Sequence, residues 1–121
     1  MSARARLSFP NGLAYCGQVI LIVPRRRSLI VDSIQFDGIS SDGQGFLKVS
    51  TMLAAEVKCY IIPATRCGAG LGVDGVFGSA SIDLLADPGT PVFVTYYRGF
   101  SAGYRGITNV TVSLVGRYAE L

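Results

Sequence analysis

Histidine does not occur in this chain, and neither does tryptophan. The first absence removes the imidazole base that a serine nucleophile needs, together with the usual nitrogen ligands of zinc, iron and copper sites. Gly99-Phe-Ser-Ala-Gly103 fits the spacing of a Gly-x-Ser-x-Gly nucleophile elbow. That motif also needs a helix behind its serine, and Tyr104-Arg-Gly-Ile-Thr leads toward a strand instead. Ser101 therefore reads as part of a hairpin loop. We expect no enzyme here: no catalytic residue, no cofactor and no metal site. One metal alternative stays open, a calcium site pooled from several loops. Asp37, Asp42, Asp74, Asp83 and Asp87 are too dispersed for a single binding loop, and the first three precede glycine as turn residues.

Cysteine is scarce as well. Cys16, Cys59 and Cys67 are odd in number and form no Cys-x-x-Cys pair, so no disulfide framework or zinc knuckle is expected. With no leader-like apolar segment near residue 1, this leads to an expectation of folding in a reducing cytoplasm with the thiols buried. Long hydrophobic runs are missing too. The longest, residues 19–23, cannot span a bilayer, so no membrane partner is expected. Charged residues are only 16% of the chain and the net charge is +3, too mild for a domain built to bind nucleic acid. Helical sequence is confined to residues 52–56, Met-Leu-Ala-Ala-Glu, about one turn that fits a loop equally well.

What remains is strand and turn. Half of the 121 residues are hydrophobic and 15 are glycine, a balance typical of short strands joined by tight turns. The mean hydropathy of +0.43 implies that another subunit covers part of the apolar surface. The last strand, residues 109–118, alternates most cleanly. Val110, Val112, Leu114 and Tyr118 fall on one face and Asn109, Thr111, Ser113 and Arg117 on the other. Asn109-Val-Thr is also a glycosylation sequon, set aside because it lies in this strand. Residues 13–23 read as a first strand, apolar on both faces and so interior. Residues 29–36 follow, closed by an Asp37-Gly38 turn, then 46–51 and 57–62. Residues 67–78 hold five glycines and read as a long surface loop. Its Gly68-Ala-Gly-Leu-Gly72 run lacks the Lys-Ser/Thr and the helix of a phosphate loop. Residues 79–85 alternate again, Asp87-Pro-Gly89 is a turn with positive φ at the glycine, and residues 91–98 form an aromatic strand. The expected fold is all-β: one jelly-roll or Greek-key sandwich of about seven to eight antiparallel strands over residues 13–121, behind an N-terminal arm over residues 1–12.

Three features stand outside this strand grammar. Arg25-Arg26-Arg27 occupy a turn, where they are either solvated or bound to an acidic or phosphate-bearing partner. Tyr96, Tyr97, Phe100 and Tyr104 cluster near the last hairpin, as core or as contact surface. Arg4, Arg6 and Phe9 lie in the arm.

The order of features resembles that of small bacteriophage head-decoration (cement) and head-fibre proteins with β-sandwich folds. The resemblance rests on an apolar strand ending in Pro24-Arg25, Leu29-Ile-Val-Asp-Ser-Ile34, the Gly-rich middle, Asp87-Pro-Gly-Thr-Pro-Val92 and Val110-Thr-Val-Ser-Leu-Val-Gly-Arg-Tyr118. It implies a structural virion protein, made in the host cytoplasm, that sits on the capsid exterior as a small homo-oligomer and clamps neighbouring major capsid proteins. Arg4, Arg6, Phe9, Arg25, Arg26, Arg27, Gly70, Leu71 and Tyr104 are then the candidate contacts. The rival reading is a carbohydrate-binding or host-recognition module of a virion fibre or tail, with Tyr96, Tyr97 and Tyr104 as a stacking platform. The lack of tryptophan and of carboxylates beside those rings weighs against it.

Overall fold

The structure is a computed structural model and describes residues 1–9, 13–40, 45–68, 74–98 and 108–120. Among these residues nine strands follow one another: β1 (Ser2–Phe9), β2 (Tyr15–Ile22), β3 (Arg27–Ser40), β4 (Gly45–Leu53), β5 (Glu56–Pro63), β6 (Thr65–Gly68), β7 (Asp74–Ala86), β8 (Pro91–Arg98) and β9 (Thr108–Glu120). They build a five-stranded sheet, β1-β9-β3-β7-β6, and a four-stranded sheet, β2-β8-β4-β5. Every pairing is antiparallel, and β1 with β9, β2 with β8, β3 with β7 and β4 with β5 nest about the β4–β5 turn.

The core lies between the sheets, and strand alternation decides who enters it. Val110, Val112 and Leu114 of β9 are wholly buried, as the terminal pattern predicts, beside Leu7, Leu29, Val31 and Ile34. The four-stranded sheet answers with Leu47, Val49, Val92, Val94 and Tyr96. Phe36 meets Tyr96 edge-on across the gap, with ring centroids 5.7 Å apart, a geometry that favours aromatic pairs. A bulge at Asp32 shifts β3 by one residue between Val31 and Ser33. Hence Leu29 and Val31 point inward before it, and Ile34 and Phe36 after it. Arg117 Nε donates to Asp32 Oδ1 at 3.2 Å across this bulge.

Several expectations are corrected. The segment read as an arm is an edge strand, paired along its length from Ser2↔Val115 to Phe9↔Thr108, because Ala5 and Leu7 supply the inward face of an alternating pattern. Residues 13–23 are not interior: β2 is an edge strand, and a shift between Val19 and Leu21 turns Val19 and Ile22 outward while Leu21 and Val23 pack inward. Asp37-Gly38 is no turn but lies within β3, near its end, where glycine is needed because β9 runs too close for a side chain. The supposed loop over residues 67–78 keeps only 69–73 outside the described strands. Gly75 and Gly78 lie in β7, where their bare Cα atoms admit Cys67 Sγ and the Phe36 ring. Cys59 and Cys67 are exposed rather than buried, and Cys16 is half-buried. Asp87-Pro-Gly89 behaves as read, with Gly89 at φ +75°.

Residues 52–56 do not form a helical turn. They are the tip of the β4–β5 hairpin, with Leu53 paired to Glu56 and Ala54 and Ala55 at φ 53° and 63°. Two consecutive positive φ values mark a type I′ turn, which alanine fills poorly because its Cβ crowds the following carbonyl. Asp87 holds the turn: Ala54 N donates to its Oδ2 at 2.7 Å, and its own N donates to Met52 O at 2.8 Å. Replacing Ala54 by Asn and Ala55 by Gly keeps those donors and relieves the backbone. The double variant should gain about 1–2 kcal/mol, read as a higher urea midpoint at unchanged slope.

Candidate functional site

Among the described residues, the candidate contacts read from the sequence do not gather into one patch. Arg4 and Arg6 project from β1 onto the outer face of the five-stranded sheet, where Arg6 Nε donates to Asn109 Oδ1 at 3.0 Å. Arg25 and Arg26 are exposed in the turn before β3, and Arg27 opens that strand with its guanidinium 5.6 Å from the centre of the Tyr118 ring. Phe9 pairs with Thr108 and Arg27 with Glu120, so β9 separates them by ~40 Å at ~3.3 Å per residue. Gly70, Leu71 and Tyr104 lie outside the described residues, as do Phe100 and the Gly99–Gly103 match. Tyr96 is wholly buried and forms no contact surface. Tyr97, its neighbour in sequence, points the other way.

The two outer faces of the sandwich differ sharply. On the five-stranded sheet, alternation brings Arg4, Ser113, Gln35 and Ser79 into one row and Arg6, Thr111, Asp37 and Phe77 into the next. That face is polar, and its exposed apolar side chains are scattered. On the four-stranded sheet one row reads Tyr15, Tyr97, Phe46, Pro63, and another Val19, Phe93, Ser50, Cys59. Ile22 beside Pro91 and Met52 beside Val57 extend the surface toward the other end. Exposure there runs from 41% at Phe93 to 67% at Ile22, with Tyr15, Val57 and Ile61 between. Six such side chains, at ~150–200 Å² each when fully exposed, leave on the order of 600 Å² of apolar surface in contact with water. That lies at the upper end of what a monomer exposes in one patch.

Between the two rows lies a third, Gly17, Thr95, Lys48, Ile61, which carries the face's polar centre. Gly17, Thr95, Lys48 and Ser50 line an open hollow of about 320 Å³, walled by the rings of Tyr15, Tyr97 and Phe93. Lys48 Nζ donates to Tyr97 Oη at 3.3 Å and stands 5.4 Å from that ring's centre, a cation–π distance. Thr95 is 5% exposed. On the far side of Phe93 a smaller dimple of about 140 Å³ opens among Met52, Val57 and Pro91. Tyr97 stacks on Phe46 at 4.8 Å and 15°, and on Tyr15 at 5.4 Å and 30°. The three rings stand side by side across the sheet, with Tyr97 in the middle flanked by the other two, while Tyr15 on the edge strand stays 59% exposed.

At the end of β8 that borders residues 99–107, Arg98 is buried. Its Nε donates to Leu13 O at 2.6 Å and its Nη1 to Thr108 Oγ1 at 3.3 Å, which fastens the start of β2 and of β9 to the same side chain. Among the described residues no three histidine, cysteine or carboxylate side chains stand close enough to hold a metal ion.

Sequence reasoning missed the apolar outer face, although a signal was present. Residues 19–23, 57–62 and 91–97 are apolar at both parities, and a strand of a two-sheet sandwich has only one core to face. Comparison with protein-family models, with curated proteins and with solved structures returns no match to this chain.

Proposed function

We propose that this protein is a non-enzymatic structural protein of a virion, a decoration or cement protein that docks on the capsid exterior and stabilises contacts between capsid subunits. The observation that carries the reading is the apolar outer face of the four-stranded sheet, set against the polar outer face of the other. An exposed apolar patch of this size, rimmed by polar residues, marks a surface that a partner covers. The order of sequence features that resembles head-decoration proteins indicates what that cover is. The nested pairing supports a finer reading of the sandwich as a jelly roll, one long hairpin wound on itself with β6 added at an edge.

Jelly rolls serve capsids and lectins alike, and the aromatic geometry favours the first. Sugar stacking needs a ring face open to solvent, whereas Tyr97 has Phe46 on one side and Tyr15 on the other. Magnitudes favour a lattice partner too. Covering ~500–600 Å² of apolar surface yields about 12–15 kcal/mol gross, against an association cost of about 4–15 kcal/mol. One copy binds weakly on these terms. Many copies on a repeating surface, or a small oligomer, bind well through effective concentration alone.

The test is co-sedimentation with purified capsids that lack the protein, followed by thermal disassembly of the decorated particles. Saturable occupancy and a higher disassembly temperature are expected. Protein that stays in the supernatant at every concentration, with particles no more stable than bare ones, would sink the reading.

A further inference from the structure

We propose that the hollow at the centre of the four-stranded sheet's outer face is a carboxylate-binding site. It receives an Asp or Glu side chain that protrudes from an apolar patch of the partner protein. The inference deepens the docking reading and rests on it for the identity of that partner.

Four observations converge on an anion borne by a protein. Lys48 brings the only charge in the facing rows, and its ammonium has three donors of which Tyr97 Oη takes one. Thr95 is 5% exposed, yet its hydroxyl has no hydrogen-bond partner among the described residues. A buried hydroxyl left unsatisfied is unfavourable, and valine would fill the same volume without that cost. Gly17 forms the floor: a Cβ there would lie 2.6 Å from Thr95 Oγ1 and 2.8 Å from Phe93 Cε1, so any larger residue would close the space. Every polar group that lines the hollow can donate, and none is acidic.

The surroundings choose among anions and occupants. One cation between aromatic walls matches the single charge of a carboxylate better than a phosphate dianion. A second copy presenting the same face would oppose ammonium to ammonium, so the occupant is an unlike surface. The dimple beyond Phe93 adds a requirement. Lys48 and Met52 lie four residues apart along β4, ~13 Å at ~3.3 Å per residue, so the partner carries an apolar side chain roughly that far from its carboxylate.

The site can be tested without the partner. Isotope-labelled protein is titrated with benzoate, and with benzamide as the neutral match, while the Lys48 ε-methylene and Thr95 γ-methyl NMR signals are followed. Benzoate should give saturable shifts that weaken with added salt, and benzamide should give none. Lys48→Met should abolish saturation. Thr95→Val should weaken it about three- to tenfold, the loss of one hydrogen bond, while its thermal midpoint stays level or rises. Equal responses to benzoate and benzamide, or unchanged shifts in Lys48→Met, would overturn the proposal. On particles, Lys48→Met should lower occupancy. If benzoate binds as expected but neither the wild-type protein nor Lys48→Met pellets with capsids, the hollow stands and the docking reading falls. If Lys48→Met pellets as well as wild type, capsid docking stands and the carboxylate is not what the hollow takes.

Discussion

Replacing Gly38 by valine should leave the protein unfolded at room temperature, and alanine at the same position should cost more than about 3 kcal/mol. Gly38 sits where β3 runs between β9 and β7, paired with Val110 on one side and Val76 on the other. A Cβ there would run into Asn109 O and would lie 2.8 Å from Val110 Cα and 2.9 Å from Asn109 C. Those are backbone atoms, which cannot rotate away as the end of a side chain can. Relief requires β9 to move off β3, and β9 also anchors β1 through Ala5 and Leu7. The damage therefore spreads through most of the five-stranded sheet. Gly68→Ala is the control, since nothing lies within 4 Å of a Cβ at that position. It should shift stability by less than about 0.5 kcal/mol. Urea unfolding of the three variants decides the matter. A Gly38→Ala protein within about 1 kcal/mol of wild type would show that β9 can part from β3 at this point at little cost, and would overturn the close-approach reading.

Gly38 also shows how far the sequence carries. Asp-Gly is a strong turn signal because glycine takes positive φ cheaply, and Asp87-Pro-Gly89 obeys it. At Asp37-Gly38 the same dipeptide serves close strand approach, a demand that comes from a strand about seventy residues downstream and leaves no local trace. Gly75 and Gly78 mislead in the same way, since the Phe36 ring fills what Gly78 leaves open. The clean alternations, residues 79–85 and 109–118, and the aromatic strand at 91–98 are legible because a half-buried strand writes its two faces directly into the chain. The bulge at Asp32 switches the inward parity of β3 halfway, so its alternation averages out. The N-terminal strand was hidden by brevity: Ala5 and Leu7 alone carry its buried face.

The candidate surface was less legible than the fold, for a related reason. Arginine runs draw the eye, yet Arg4, Arg6 and Arg25 to Arg27 are placed far apart, and an exposed guanidinium contributes little wherever it stands. The apolar outer face is assembled by register. Val19, Phe93 and Cys59 come from three separate strands, and only pairing across β2, β8, β4 and β5 makes them one row. Periodicity could have flagged these strands as apolar on both sides. It could not say which side was the core, because Val94 and Phe93 are equally hydrophobic and differ only in the direction the pleat gives them.

The outer face should tolerate charge in the free protein and not in the docked one. Ile22 and Val57 lie on the two edge strands of the four-stranded sheet and are 67% and 66% exposed, so aspartate at both should cost the fold about 1 kcal/mol or less. In a docked complex the same carboxylates would lose water without gaining a partner, which costs several kcal/mol for each buried charge. The double variant should therefore bind capsids more than about 100-fold more weakly, while its thermal midpoint and its monomeric solubility hold or improve. The matching control puts the same chemistry on the opposite face: Phe77→Asp with Val115→Asp, at positions 46% and 48% exposed. Those substitutions lie among polar neighbours on the five-stranded sheet and should leave occupancy unchanged. Occupancy on purified particles, measured for both pairs at equal protein concentration, separates the faces. If the second pair abolishes binding and the first does not, the polar sheet is the docking surface and the apolar one is covered by something other than the capsid.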